Sequence, residues 1–269
     1  MSRLGGRFTA LGAAGRKALV TFITAGDPDP TATVPALHGL VAGGADVLEV
    51  GIPFSDPEAE GPAIQASSER GLAHGTTLRQ VLGMVAQFRQ GDAHTPIVLM
   101  GYLNSVLAMG VAAFAQAAAE AGVDGLIMVN LPPEEAGEMR KHFAAHGIDL
   151  IFLVAPTTTR ERAQMIADQA TGFVYYVSLK GITGADHLQV ESVAEYVTWL
   201  KSVAPLPVMV GFGIKDPTTA QAVAHYADGV VVGSALVNTM ADNAHNIAAI
   251  PDLLRDQVRA MRVALDADN

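Results

Sequence analysis

Cysteine is absent from the 269 residues, which excludes a disulfide scaffold, an iron–sulfur cluster, a thiolate zinc site and a cysteine nucleophile. Basic side chains are scarce: 17 Lys and Arg against 27 Asp and Glu leave a net charge of −10. With no cluster of positive charge to follow a phosphate backbone, nucleic acid is not an expected partner. Long apolar runs are missing too. The longest stretch free of polar side chains, near Val106 to Ala115, is far below the roughly 18 residues of a membrane span, and Met1 to Arg7 lack the apolar core of a signal peptide. The expectation is a cytoplasmic chain with no membrane partner. Half of the residues are hydrophobic and 16% are charged, the balance of a chain that folds around a core. At this length about three quarters of the unfolded surface is buried, so neither disulfide nor metal is needed to complete that core.

A local pattern recurs: one or two small or apolar residues, then Asp, then a short apolar run. It reads Gly44-Ala45-Asp46-Val47-Leu48, Gly122-Val123-Asp124-Gly125-Leu126, Gly147-Ile148-Asp149-Leu150-Ile151 and Ala227-Asp228-Gly229-Val230-Val231. Each copy suits a helix end handing over to a buried parallel strand. Four copies imply a repeated βα unit. The remaining apolar runs complete eight expected strands, at 19–24, 47–50, 97–100, 125–129, 150–154, 173–177, 208–210 and 229–232. Helices fit between them. Asp216-Pro217 has N-cap and N1 chemistry, Thr158-Thr159-Arg160-Glu161 reads as a capping box, and Leu254, Val258, Met261 and Leu265 repeat at helical spacing. Strands alternating with helices predict a single (β/α)8 barrel spanning 1–269. A doubly wound open sheet would want a Gly-x-Gly-x-x-Gly turn after the first strand, where Ala25-Gly26-Asp27-Pro28 stands instead.

In a barrel the chemistry belongs to the loops where strands end. Side chains alternate along a strand, so Leu48 and Val50 face the helices while Val47 and Glu49 face the interior. A carboxylate there is costly to desolvate, and no strand segment offers Lys or Arg to pair with it, which points Glu49 towards acid–base work. The loop Gly51 to Pro62 holds three prolines and three acids. It reads as a solvated helix-capping loop or as the bearer of a second site carboxylate, Glu60. Gly181-Ile182-Thr183-Gly184, Gly211-Phe212-Gly213-Ile214 and Gly233-Ser234 follow strands six, seven and eight, where small residues let backbone N–H groups approach an anion. No His-x-His pair lies on a strand, so a metallohydrolase barrel and a bound metal are not expected. Lys180, just past strand six, keeps a Schiff-base phosphate aldolase open as an alternative.

The stretches Leu19 to Pro28, Leu48 to Pro57 with its Pro53-Phe54-Ser55-Asp56-Pro57, and the three glycine loops together resemble the tryptophan synthase alpha chain family, from about residue 15 to the end. The resemblance implies a (β/α)8 barrel with an extra N-terminal helix and loop insertions at the C-terminal face. It implies a carbon–carbon lyase of tryptophan biosynthesis that cleaves indole-3-glycerol phosphate to indole and glyceraldehyde 3-phosphate. It further implies no cofactor on this chain and a PLP-bearing beta chain as partner in an α2β2 assembly. Matched residue by residue, it makes Glu49 and Glu60 catalytic, sets Phe22 and Tyr175 around the indole, and assigns Thr183, Gly184, Gly213, Gly233 and Ser234 to the phosphate. Pro53, Asp56, Pro57, Glu58, Asn104 and Pro132 fall at the partner interface. Three positions depart from the family pattern: Glu60 replaces an aspartate, Glu58 an apolar residue, and Asn130 an aspartate found in many members. A displacement of about 1 Å at a catalytic group can cost on the order of 10²-fold in rate. The departures therefore keep open a catalytically impaired alpha-like chain whose main work is to bind and activate its beta partner.

Overall fold

Eight short parallel strands close on themselves in the computed structural model, which describes residues 2–177, 187–211 and 213–267. The strands are β1 (Ala18–Thr24), β2 (Val47–Gly51), β3 (Ile97–Gly101), β4 (Gly125–Met128), β5 (Asp149–Val154), β6 (Val174–Val177), β7 (Val208–Gly211) and β8 (Gly229–Val232). Each end lies within one residue of its expected position. Around them run α1 (Arg3–Ala13), α2 (Thr33–Gly43), α3 (Pro62–Ala73), α4 (Leu78–Arg89), α5 (Leu103–Met109), α6 (Val111–Ala121), α7 (Gly137–Ala145), α8 (Arg160–Gln169), α9 (His187–Val203), α10 (Pro217–Ala224), α11 (Ser234–Asp242) and α12 (Ile250–Asp266). Two helices follow each of β2, β3 and β8, and α3 and α5 give the C-terminal face its extra material. No single described helix is long and apolar enough to cross a membrane.

Strand alternation divides the core in two. Leu19, Leu48, Val50 and Leu99 face outward into the layer between strands and helices, joined there by Leu254, Val258, Met261 and Leu265 of α12. Val20, Val47, Val98, Ile151, Phe173 and Met209 fill the interior. Leu4 and Leu11 of α1 join that interior cluster and close the N-terminal end of the barrel. Burying one such leucine contributes about 1.5–3 kcal/mol.

The repeated Asp has a function at the same end. The backbone N–H groups of Leu19, Ile97 and Val208, at the starts of β1, β3 and β7, donate to Asp46, Asp124 and Asp228 at 2.8, 2.9 and 2.9 Å. The Asp N–H groups donate in return to the carbonyls of the same three residues. For β5 this reciprocal pair is made by Thr171, whose hydroxyl accepts from Leu150 N–H at 2.8 Å. The third sequence copy, Asp149, therefore does not belong to the set. It begins an odd-numbered strand, whereas the bonding residue always precedes an even-numbered one. Arg7 and Arg262 neutralise Asp46, Arg3 and Arg89 neutralise Asp124, and Lys201 pairs with Asp228.

Local signals fare similarly. Gly44 and Gly122 cap α2 and α6 with φ of 107° and 90°, a backbone that L side chains avoid. Asp216 caps α10 with Pro217 at its first position, as expected. The capping box expected at Thr158 shifts by one residue. Thr159 is the N-cap and bonds Arg162 N–H, which puts Glu161 too early in the turn to reciprocate, while the Thr158 hydroxyl turns back to Ala155 N–H.

Candidate active site

Glu49 sits in the middle of β2, in register with Phe22 on β1 and Val98 on β3, and its side chain enters the barrel. The residue is 1% exposed, and neither carboxylate oxygen has a hydrogen-bond partner among the described residues. Burial, and secondarily the charge of Glu60, raise its pKa from 4.5 to about 8. At neutral pH the side chain is thus a protonated acid. This is the condition that interior placement without a cationic neighbour predicts.

Glu60 ends the loop that joins β2 to α3. Glu60 N–H donates to Pro57 carbonyl at 3.0 Å, closing a turn that folds the residue inward. Burial raises its pKa to about 7. A carboxylate on a partly solvated loop would stay anionic throughout the neutral range; this half-buried one is poised near neutrality. The difference comes from the turn, which removes the side chain from water without supplying a cation.

Phe22 and Tyr175 are buried, at 4% and 9% exposure. The Tyr175 phenol is held well above its usual pKa by burial and then by the charges of Glu49 and Glu60, so it stays protonated beside them. Two glycines make these positions possible. A Cβ at Gly211 would lie 2.5 Å from the Tyr175 hydroxyl oxygen, and one at Gly51 would lie 2.7 Å from the Phe22 ring. Phe22, Phe54, Glu60, Ile64, Met100 and Tyr102 border a narrow crevice at the mouth. The sequence reading missed Met100 and Tyr102. The alternation that sends Glu49 inward would have found them, because Val98, Met100 and Tyr102 share the inward parity of β3 and its extension.

After β8, which pairs with β1 on the side away from β2, Gly233 precedes α11, whose first residue is the exposed Ser234. Gly213 is exposed after β7 with φ of 48°, and β7 pairs directly with β8. Lys180, Gly181, Ile182, Thr183, Gly184 and Phe212 lie outside the described residues. Of the expected partner-facing positions, Asp56, Glu58, Asn104 and Pro132 are exposed, Pro57 is partly so, and Pro53 is buried beneath α3. Asn130 contacts the start of α5, accepting from Leu103 N–H at 2.8 Å and donating to Asn104 at 3.1 Å; it does not bond the Glu60 carboxylate.

Residues 8–265 match the family model described as "Tryptophan synthase alpha chain". The chain is 54% identical over 266 residues to the tryptophan synthase alpha chain of Thioalkalivibrio sulfidiphilus, covering 99% of this chain and 100% of that one. Its fold is similar to the crystal structure of tryptophan synthase subunit alpha from Legionella pneumophila, with TM-score 0.92, 45% identity and 99% of both chains covered. A chain of the tryptophan synthase complex from Pyrococcus furiosus aligns with TM-score 0.83 at 36% identity, over 91% of this chain and 98% of that one.

Proposed function

Because the chain belongs to the tryptophan synthase alpha chain family, a lyase family that cleaves indole-3-glycerol phosphate to indole and glyceraldehyde 3-phosphate, we propose that Glu49 and Glu60 carry that cleavage here. The observation that supports this reading is the Glu49 carboxyl: buried, unpaired and protonated at neutral pH inside the barrel mouth. Protonation of indole C3 leaves positive charge on the ring nitrogen. The bond from C3 to the glycerol phosphate chain then breaks, its electron pair returning to the ring. The hydroxyl on the departing carbon gives up its proton as the aldehyde forms. A protonated Glu49 supplies the first proton, and its conjugate base removes the second. Glu60 accepts a hydrogen bond from the indole N–H, and the growing positive charge favours its anionic form. The protonated indole is itself the electron sink, so the step needs no cofactor; PLP belongs to the beta chain of the family.

Phe22 and Tyr175 flank the ring, and Thr183, Gly184, Gly213, Gly233 and Ser234 receive the phosphate. Two features support the phosphate end. A helix start offers N–H groups without intrahelical partners. The nearest atoms to a Cβ at Gly233 would be those of Phe22, at an ordinary 3.5 Å, which fits a glycine not crowded by internal packing. The exposed Asp56, Glu58, Asn104 and Pro132, with Pro53 and Pro57 shaping the same loop, meet the beta chain in a cytoplasmic α2β2 assembly.

Release of glyceraldehyde 3-phosphate from indole-3-glycerol phosphate, measured for the isolated chain and with saturating beta chain, tests the reading. Turnover that rises with the partner and disappears in Glu49→Gln is expected. No turnover even with the partner would leave a chain that binds and activates only. A covalent adduct after borohydride trapping with substrate would reveal an imine and overturn the carboxylate mechanism.

A further inference from the structure

Glu60 owes its position to two side chains outside its own loop. Three outer backbone groups of the Pro57–Glu60 turn meet side-chain partners. Ala59 N–H donates to the Tyr102 hydroxyl at 3.1 Å. The Gln65 amide, in the first turn of α3, donates to Glu60 carbonyl at 2.8 Å and reaches Pro57 carbonyl at 3.4 Å. The Tyr102 ring stacks on Phe54 of the same loop, with centroids 4.8 Å apart and planes 17° from parallel. Tyr102 is only 4% exposed, and the residue after it has its N–H held by Asn130.

We propose that Tyr102 and Gln65 are positioning residues for the lyase reaction, a two-sided brace that holds the Pro57–Glu60 turn so that Glu60 faces the substrate. The proposal rests on the assignment of Glu60 given above. A flexible glutamate has one more rotatable bond than the aspartate common in the family, so its aim depends more on a fixed backbone. With the turn free, the half-buried carboxylate is drawn outward, because water solvates it and no side chain among the described residues pairs with it. The brace also joins the turn to α5, whose exposed Asn104 is bonded to Asn130.

The test uses kinetics of the full chain with saturating beta chain for Tyr102→Phe, Gln65→Met and both together. Phenylalanine keeps the ring against Phe54, and methionine keeps the length of Gln65, so the folded state survives while single hydrogen bonds are lost. Each bond is worth about a factor of 3 to 10, which predicts a kcat loss of that size for each variant and a larger loss for the pair, with KM within about twofold. The same changes in a Glu60→Gln background should cost nothing more, since a brace acts only through what it holds. Equal losses in both backgrounds, or a rise in KM with kcat unchanged, overturn the brace while leaving Glu60 in place. Unchanged turnover in Glu60→Gln alone overturns the assignment of Glu60 on which the brace depends.

Discussion

Replacing Glu49 with glutamine should destroy activity and stabilise the protein. In the native chain the carboxyl titrates at about 8 instead of 4.5, so the native state holds a proton that the unfolded state releases above 4.5. The sign follows directly. Below 4.5 both states are protonated and Glu49 exacts no penalty. As pH rises towards 8 only the unfolded state gains from ionising, and stability falls by about 1.4 kcal/mol per pH unit. By pH 7 the accumulated cost is about 3 kcal/mol. Above pH 8 it levels off near 5 kcal/mol, an upper figure because a strained native state can admit water to the carboxylate. Glutamine is nearly isosteric and has no charged form, so it escapes this cost while keeping an equally unpaired polar group. Urea unfolding of wild type and Glu49→Gln at intervals from pH 5 to pH 8.5 measures the difference. It should be below about 1 kcal/mol at pH 5 and grow to several kcal/mol at pH 8.5, while turnover drops by about 10² or more. A difference that stays constant with pH would refute the claim that an unpaired, desolvated carboxyl occupies the barrel, whatever the kinetics show.

Glu60→Asp is expected to raise kcat with KM little changed, because the shorter acid retreats from Glu49 and restores the reach usual in the family; steady-state kinetics with saturating beta chain would show an equal or lower kcat if Glu60 is already fitted to this site. Gly213→Ala should weaken glycerol 3-phosphate binding far more than Lys215→Ala, since Gly213 has φ of 48° and the proposed phosphate site uses backbone N–H groups; calorimetry giving the reverse order would make a lysine contact the main one. Asp124→Ala should cost about 3–5 kcal/mol, because Asp124 is buried between Arg3, Arg89 and Ile97 N–H, whereas Asp149→Ala should cost under about 0.5 kcal/mol, its carboxylate having no partner among the described residues. Parallel unfolding curves for the two variants check this, and similar losses would contradict the unequal roles assigned to two copies of one sequence pattern.

Much of the architecture is written locally. Short apolar runs, four of them entered through Gly-x-Asp or Asp-Gly, define each strand to within one residue, because a strand buried on both faces needs only a continuous apolar segment. The inward direction of Glu49 follows from period-two alternation in five residues, and its raised pKa from the lack of any basic residue in the strands. What local patterns do not contain is the relation between residues far apart in sequence. Asp149 looks like Asp46, Asp124 and Asp228, yet Thr171 takes the fourth place in the ring, since membership depends on strand parity in a closed barrel. The spacing of Glu49 and Glu60 allows a solvated loop as readily as a second site carboxylate. Only the assembled mouth shows how far the residue is buried: Tyr102 comes from the end of β3 and Gln65 from α3, and both bond the turn that takes Glu60 partly out of water. A titration near neutrality is therefore a property of the tertiary structure, because desolvation depends on which distant side chains exclude the solvent and not on the residues on either side.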